Sequence, residues 1–354
     1  MRVLYFGTYE RTYPRNAQVI SCLRRGGIEV LERHEPVWEA VRHKWSAGLG
    51  AGARLALAEA RLLGGGVPRA DVVLVGYPGH LDLPAARRAA RGRPVVFDPL
   101  VSLADTFVGD RGRFRPGSLP ARALAAVDRY ALRAADLVVA DTAEHAEFLS
   151  SLAGHDRFAV CFVGADERVF RPPWTPTPAA PFTCLFVGKL TPLHGVETIV
   201  AAARLVPDVR FRIVGSGQLE NRLRDLPANV ERVAWIDYEL LGDEYRRAGC
   251  ALGIFGTSGK ATRVIPNKAF QALACGTPLV TAGTPAAREL LADAESALLV
   301  PAGDPQALAE AVRRIAEDQE LAQRLSKGGL GAYREQASED ALSARWRELL
   351  KRLV

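Results

Sequence analysis

The residues able to do chemistry lie in loops that follow short apolar runs. In the C-terminal half, Gly188-Lys-Leu-Thr-Pro-Leu-His-Gly195 follows one run and Gly215-Ser-Gly217 follows a second. A third is followed by Gly256-Thr-Ser-Gly-Lys-Ala-Thr-Arg-Val-Ile-Pro-Asn-Lys268. Glycine lets a ligand approach the backbone closely, and a helix N-terminus favours phosphate. Lys260, Arg263 and Lys268 fall within nine residues, with no acidic residue among them. Together with Asn267 and the free N–H groups of a following helical turn, they would cradle an anion such as a diphosphate. The alternatives are a solvated basic loop and, for the glycines, plain tight turns. Lys189 and His194 on the first loop are further phosphate candidates. In the N-terminal half, Gly7-Thr-Tyr-Glu-Arg-Thr-Tyr-Pro-Arg-Asn16 places Arg15 and Asn16 either in reach of phosphates or at a helix start. Asp98 and Asp105 are the titratable groups nearest another strand end, Asp98 reading as a site carboxylate or as a turn residue. His80, in Gly76-Tyr-Pro-Gly-His-Leu-Asp82, reads more simply as a cap or surface histidine.

The elements that must position these groups alternate. Candidate strands are Arg2–Gly7, Ile28–Glu32, Val72–Gly76, Pro94–Asp98, Leu137–Ala140 and Phe158–Phe162. A second series is Phe182–Val187, Arg210–Val214, Val230–Val233, Ala251–Phe255, Pro278–Thr281 and Ala297–Val300. Helical patterns such as Gln18–Arg25, Leu119–Arg133, Val196–Leu205, Lys268–Cys275 and Gln306–Ala316 lie between them. Apolar strands alternating with helices predict an α/β protein with parallel sheets covered on both faces. Five prolines between Phe170 and Pro181 exclude a helix or central strand there and divide the chain nearly in half. The expected organisation is therefore two Rossmann-like, doubly wound domains facing a cleft. Residues 1–170 form the first, 171–181 a linker, 182–335 the second, and 336–354 a C-terminal helix packing back on the first.

Composition narrows the class. The 354 residues are 48% hydrophobic and 24% charged, a globular mixture with room for two cores. Five scattered cysteines without CxxC spacing fit neither a disulfide framework nor a zinc site, and suit a reducing compartment. A net charge of +6 is spread along the chain without an aromatic–basic motif, so no nucleic-acid partner is expected. No run reaches the roughly 18 apolar residues of a membrane span, and the expected location is cytoplasmic. Val37-Trp-Glu-Ala-Val-Arg-His-Lys-Trp45 sets Trp38 and Trp45 on one helical face, for packing or for peripheral contact with the inner membrane face.

Residues 182–332 resemble the C-terminal domain of glycosyltransferase family 4, the retaining transferases of GT-B fold. The matching stretches are Val187-Gly-Lys-Leu with His194-Gly-Val-Glu-Thr-Ile, Val214-Gly-Ser-Gly, Ala272-Leu-Ala-Cys-Gly-Thr-Pro-Leu-Val280 and Leu298-Leu-Val-Pro-Ala-Gly-Asp-Pro. Val163-Gly-Ala-Asp-Glu-Arg-Val-Phe-Arg-Pro172 is similar to the segment ending the family's N-terminal domain. The resemblance implies a nucleoside-diphosphate sugar donor held mainly by the second domain, on Gly188, Lys189, His194, Gly215, Gly217 and the Arg263-Val264-Ile265-Pro266-Asn267-Lys268 loop, with Gly7 of the first domain beside it. The family carries two glutamates eight residues apart, and here those positions read Arg263 and Gln271. Gln271 still offers hydrogen bonds to a ribose diol, whereas Arg263 only donates. The loop looks like that of a branch with Ile-Pro-Asn-Lys in the first-glutamate region. The histidine that many members place after the fourth strand is absent, Leu100 standing there.

The function so implied is a retaining glycosyltransferase moving a sugar, by preference from a UDP-sugar, to a hydroxyl acceptor. Asp98, Asp105, Lys189 and Arg263 are the catalytic candidates. No Asp-x-Asp or His-rich cluster suggests a metal, so neither a metal nor another cofactor is expected. The alternatives are an epimerase or hydrolase of nucleotide sugars, and a non-catalytic nucleotide-sugar-binding partner of an active transferase. A nicotinamide enzyme is disfavoured because Gly215-Ser-Gly-Gln-Leu-Glu220 lacks the third fingerprint glycine.

Overall fold

Runs such as Val72-Val-Leu-Val75 are buried along their whole length, which a strand achieves only with helices on both faces. The computed structural model describes residues 1–39, 49–173 and 181–354. Most of the Pro-rich linker and Trp45 lie outside the described residues. The first sheet comprises β1 (Arg2–Gly7), β2 (Glu29–His34), β3 (Val72–Val75), β4 (Val95–Phe97), β5 (Leu137–Ala140) and β6 (Phe158–Val160). Its order is β2-β1-β3-β4-β5-β6, all parallel, with Tyr5 opposite Leu74 and Leu74 opposite Val96. The second comprises β7 (Thr183–Val187), β8 (Arg210–Val214), β9 (Val230–Val233), β10 (Cys250–Leu252), β11 (Leu279–Ala282) and β12 (Leu298–Val300), in the order β12-β11-β10-β7-β8-β9. The expected strand Ala251–Phe255 ends early. A side chain at Gly253 would meet Thr281 Oγ1 at 2.2 Å, and beyond it the Phe255 N–H donates to the His194 carbonyl instead of to the sheet.

The chain falls into two units. One contains Met1–Val108, Gly112–Phe162 and Glu339–Val354; the other contains Gly109–Arg111 and Val163–Ser338. The first unit's core includes Tyr5, Val19, Leu23 and Val96, and Trp346 of the helix Glu339–Lys351 is buried among them. Burying an indole of that size makes Trp346 worth about 3–5 kcal/mol against alanine. The second unit's core gathers Phe186, Ile199, Phe211, Leu252 and Val312 between its sheet and helices. All five cysteines are buried and unbridged. Among the described residues no helix is long and apolar enough to cross a membrane.

Candidate anion site at the carboxyl edge of the second sheet

In a doubly wound sheet the chain reverses its winding at one pair of neighbouring strands, and ligands bind outside the carboxyl ends of that pair. In the second unit the pair is β7 and β10. β7 ends at Val187, and Gly188 turns the backbone away with φ +153°, donating its N–H to the Val214 carbonyl at 2.9 Å. Beside it Gly215 donates to the Val233 carbonyl at 2.8 Å. A Cβ on Gly215 would lie 1.9 Å from the Gly188 carbonyl oxygen, so the two loops interlock backbone to backbone. The Leu190 N–H closes the step onto the Ser216 carbonyl at 3.1 Å.

The loop after β10 supplies the cations. Ser258 caps the short helix Gly259–Arg263, the chain extends through Val264 and buried Ile265, and the helix Asn267–Ala274 then begins. Its N-cap is Pro266, which provides no side-chain cap, and its first turn holds no acid. Lys268, in that turn, is 6% exposed. Its Nζ lies 4.7 Å from the centre of the Phe186 ring, and a Cβ on Gly188 would come within 2.9 Å of it. Burial pushes the Lys268 amine down to about 7. His194 stands beside it, edge-on to Phe186 at 5.7 Å, with Nδ1 on the Lys189 carbonyl. Burial, and then the nearby Lys268, hold His194 well below the ordinary imidazole range. A neutral ring donating through Nδ1 leaves Nε2 as an acceptor, suited to a hydroxyl and not to a phosphate oxygen. In that form His194 adds no positive charge beside Lys268.

The structure thus brings Gly188, His194, Gly215, Gly217, Pro266, Asn267 and Lys268 to one edge of one sheet. Lys189 is exposed on the same loop, and half-buried Arg263 closes its short helix with Nη1 turned back towards Gly259. Gln271 is buried one turn beyond Lys268, its Oε1 accepting from the Tyr245 hydroxyl at 3.1 Å. Tyr245 and Phe186 are members of the site that sequence reasoning missed; each sits in an ordinary apolar pattern, and nothing in the spacing marks them.

The first unit's candidates have other partners. Arg15 and Asp98, expected as a phosphate ligand and a catalytic carboxylate, form a buried ion pair at 2.8 and 3.1 Å, each side chain 1% exposed. Arg15 Nη1 donates to the Cys161 and Phe162 carbonyls. Burial outweighs the Arg15 charge and moves the Asp98 carboxyl upward. Asn16 fills all its bonding positions, accepting from the Tyr5 hydroxyl and the Tyr77 N–H and donating to the Glu10 and Tyr77 carbonyls. Asn16 thus retains no side-chain donor for a ligand, and Arg15, 1% exposed, has four of its five N–H groups engaged within the protein. Beside Gly7, Asp82 accepts both the Thr8 N–H and its hydroxyl, and a Cβ on Gly7 would fall 2.0 Å from Asp82 Oδ2. Asp105 opens the turn Asp105–Asp110, half-buried. His80 is buried, with Nδ1 on the Pro78 carbonyl and Nε2 3.3 Å from Asp128. It is a satisfied core histidine.

Residues 181–318 match the family model described as Glycosyl transferases group 1. Among curated proteins, the chain is 26% identical over 181 residues to the lipopolysaccharide core biosynthesis glycosyltransferase LpsD of Rhizobium meliloti, covering 50% of this chain and 52% of that protein. It is 30% identical over 240 residues to the D-inositol 3-phosphate glycosyltransferase of Mycobacteroides abscessus, covering 61% of this chain and 53% of that one. The chain spans about half the length of the curated relatives it matches. Among solved structures, sucrose-phosphate synthase of Thermosynechococcus elongatus superposes with a TM-score of 0.76 at 18% identity over 99% of this chain and 98% of that one. Anabaena HepE, solved with UDP-glucose, superposes with a TM-score of 0.70 at 16% identity over the whole of both chains. The fold, two parallel six-stranded sheets with their helices, is the GT-B fold.

Proposed function

We propose that this chain is a retaining glycosyltransferase of family 4 that takes its sugar from a nucleoside-diphosphate sugar, by preference a UDP-sugar, and delivers it to a hydroxyl acceptor without a metal. The observation that carries the reading is Lys268, a buried amine set between Gly188 and Phe186 at the winding reversal, beside a helix start that has neither a cap nor an acid. That arrangement is complementary to a diphosphate, and it lies inside the segment matching the glycosyltransferase family model. HepE, which shares the fold and was solved with UDP-glucose, supports a uridine donor.

In this reading Lys268, Lys189, Arg263 and the N-terminus of the helix Asn267–Ala274 neutralise the charge that develops on the departing diphosphate. Gly188 and Gly215 keep the backbone low enough for it to approach. Gln271 holds the ribose through its amide N–H₂, and His194 Nε2 accepts from a sugar hydroxyl in place of the missing carboxylate. Asp105 is the proposed carboxylate of the first unit, since Asp98 is closed off by Arg15. The acceptor is proposed to meet the first unit at a cavity of about 150 Å³ lined by Thr8, Trp38, His80, Asp82, Leu103 and Phe107.

A panel of nucleotide sugars tests the reading, because a bound donor raises the melting temperature by mass action. UDP-sugars should shift it, turnover with an acceptor should survive EDTA, and NMR of the product should show the donor's anomeric configuration. A panel in which no nucleotide sugar shifts the melting temperature refutes the proposal, and activity lost in EDTA and restored by magnesium refutes its metal-independent part.

A further inference from the structure

Only six of the 46 basic residues are lysines, and three of the six, Lys189, Lys260 and Lys268, lie on the two loops of the anion site. Elsewhere the chain almost always chooses arginine. The two differ in one respect that matters in a buried place: lysine can release its proton within the working pH range and arginine cannot.

Lys268 occupies such a place. On its own helix the nearest polar side chains are Asn267 and Gln271, and β7 presents the Phe186 ring. The loop after β7 presents Lys189 and His194, and the short helix Gly259–Arg263 presents Lys260 and Arg263, all cationic or neutral. The helix Leu241–Arg247 also packs on the helix of Lys268, but its acids are engaged, Asp243 with Arg246 at 2.5 Å and Glu244 with Arg212 at 2.7 Å. The helix Gln319–Gln336 meets the opposite end of the Lys268 helix, with Gly329 against Leu273. Among the described residues Lys268 forms no ion pair with a carboxylate, and burial is what acts on its amine; a buried ammonium without a counter-ion sheds its proton.

We propose that Lys268 is an uncharged amine in the unliganded protein and takes a proton from solvent as a diphosphate enters, so that anion binding is coupled to pH across the neutral range. This deepens the donor reading above and rests on it. The balance is simple: the amine nitrogen gains one proton from water or buffer, and the incoming phosphate oxygens supply the counter-charge that holds it. The amine's position near 7 sets the window. Below it Lys268 is already charged, and the anion binds without proton uptake. Above it each binding event must also protonate the amine, so affinity falls as pH rises. His194 is held below the ordinary imidazole range first by its burial.

UDP-glucose is the probe, since its diphosphate is esterified at both ends and keeps its charge from pH 6 to 9. Calorimetry in buffers of different protonation enthalpy should record uptake of about 0.9 proton at pH 8 and about 0.1 at pH 6, with affinity falling about tenfold between them. Lys268→Arg, charged throughout, should flatten the profile, and Lys268→Met should abolish the uptake. With six lysines, ¹³C-methylated lysine resonances of the unliganded protein are resolvable, and that of Lys268 should titrate near neutrality while the exposed lysines titrate near 10. An affinity unchanged from pH 6 to 8, or a Lys268 resonance titrating with the others, overturns the coupling. Failure of UDP-glucose to bind at pH 6, where Lys268 is charged on either view, overturns the donor reading instead.

Discussion

The two units carry the same kind of sheet and finish its carboxyl edge in opposite ways. In the first, the edge is closed by the protein itself: Arg15 holds Asp98 and two carbonyls, Asn16 makes four hydrogen bonds, and Asp82 takes both donors of Thr8. In the second, the winding reversal is lined by glycines and by a buried lysine that meets an aromatic ring. A buried charge that has its counter-ion is a structural element. One that lacks it lowers stability or sheds its proton until a ligand brings the opposite charge. The contrast separates two basic residues, Arg15 and Lys268, into a scaffold member and a candidate site member on physical grounds.

Breaking the first edge should have the largest effect. Arg15→Met leaves Asp98 buried without its partner, and such a loss costs about 3–5 kcal/mol. Urea unfolding should record it, while UDP-glucose affinity of the folded protein stays within about twofold; a selective loss of affinity would instead place Arg15 in the donor site. Next in size, Lys268→Ala should weaken UDP binding by about 1.5–3 kcal/mol, the range for a charge-assisted hydrogen bond, with little loss of folding stability. Calorimetry showing unchanged affinity would remove Lys268 from the site.

Arg263→Glu puts a carboxylate on the loop that should face the diphosphate. Donor affinity should fall about tenfold or more, and Arg263→Gln should lose less. A glutamate variant that binds UDP-glucose like the wild type would show that the side chain, which turns back along its own helix, does not reach the anion. The smallest effect is read over a single pH unit. Lys268 has a folded position near 7, below the roughly 10.4 of an unfolded lysine, so between those values the unfolded chain binds more protons. Wild-type stability relative to Lys268→Met should therefore rise with pH, by up to about 1.4 kcal/mol between pH 7.5 and 8.5. A constant difference would mean that the amine is charged throughout.

Much of the architecture was legible in the chain. All twelve expected strands form, and β1, β5, β8 and β9 have the expected bounds; continuous apolar runs such as Val72-Val-Leu-Val75 have one economical use, the middle of a covered parallel sheet, whereas β9, Val-Glu-Arg-Val, stands at an edge. The site was half legible. Gly188, Gly215 and the run from Pro266 to Lys268 announce themselves by residue type, since a phosphate needs open backbone and positive charge. Arg15 and Asp98 carry similar signals and mean something else. A cation after a strand looks the same in sequence whether its counter-ion is a ligand or an aspartate 83 residues away.

What the sequence determines by itself is therefore local: the alternation of strand and helix, the turns that only glycine can make, and the presence of basic loops free of acid. The tertiary structure decides which charges meet. Arg15 finds Asp98, Gln271 finds Tyr245, and Lys268 finds Phe186 and, among the described residues, no carboxylate partner, through groups brought from distant parts of the chain. Electrostatic energy depends on separation in space and on the surrounding dielectric, and neither is written in residue spacing. A lysine in a one-dimensional pattern is simply positive; packed beneath Gly188 it becomes a group whose charge depends on what binds.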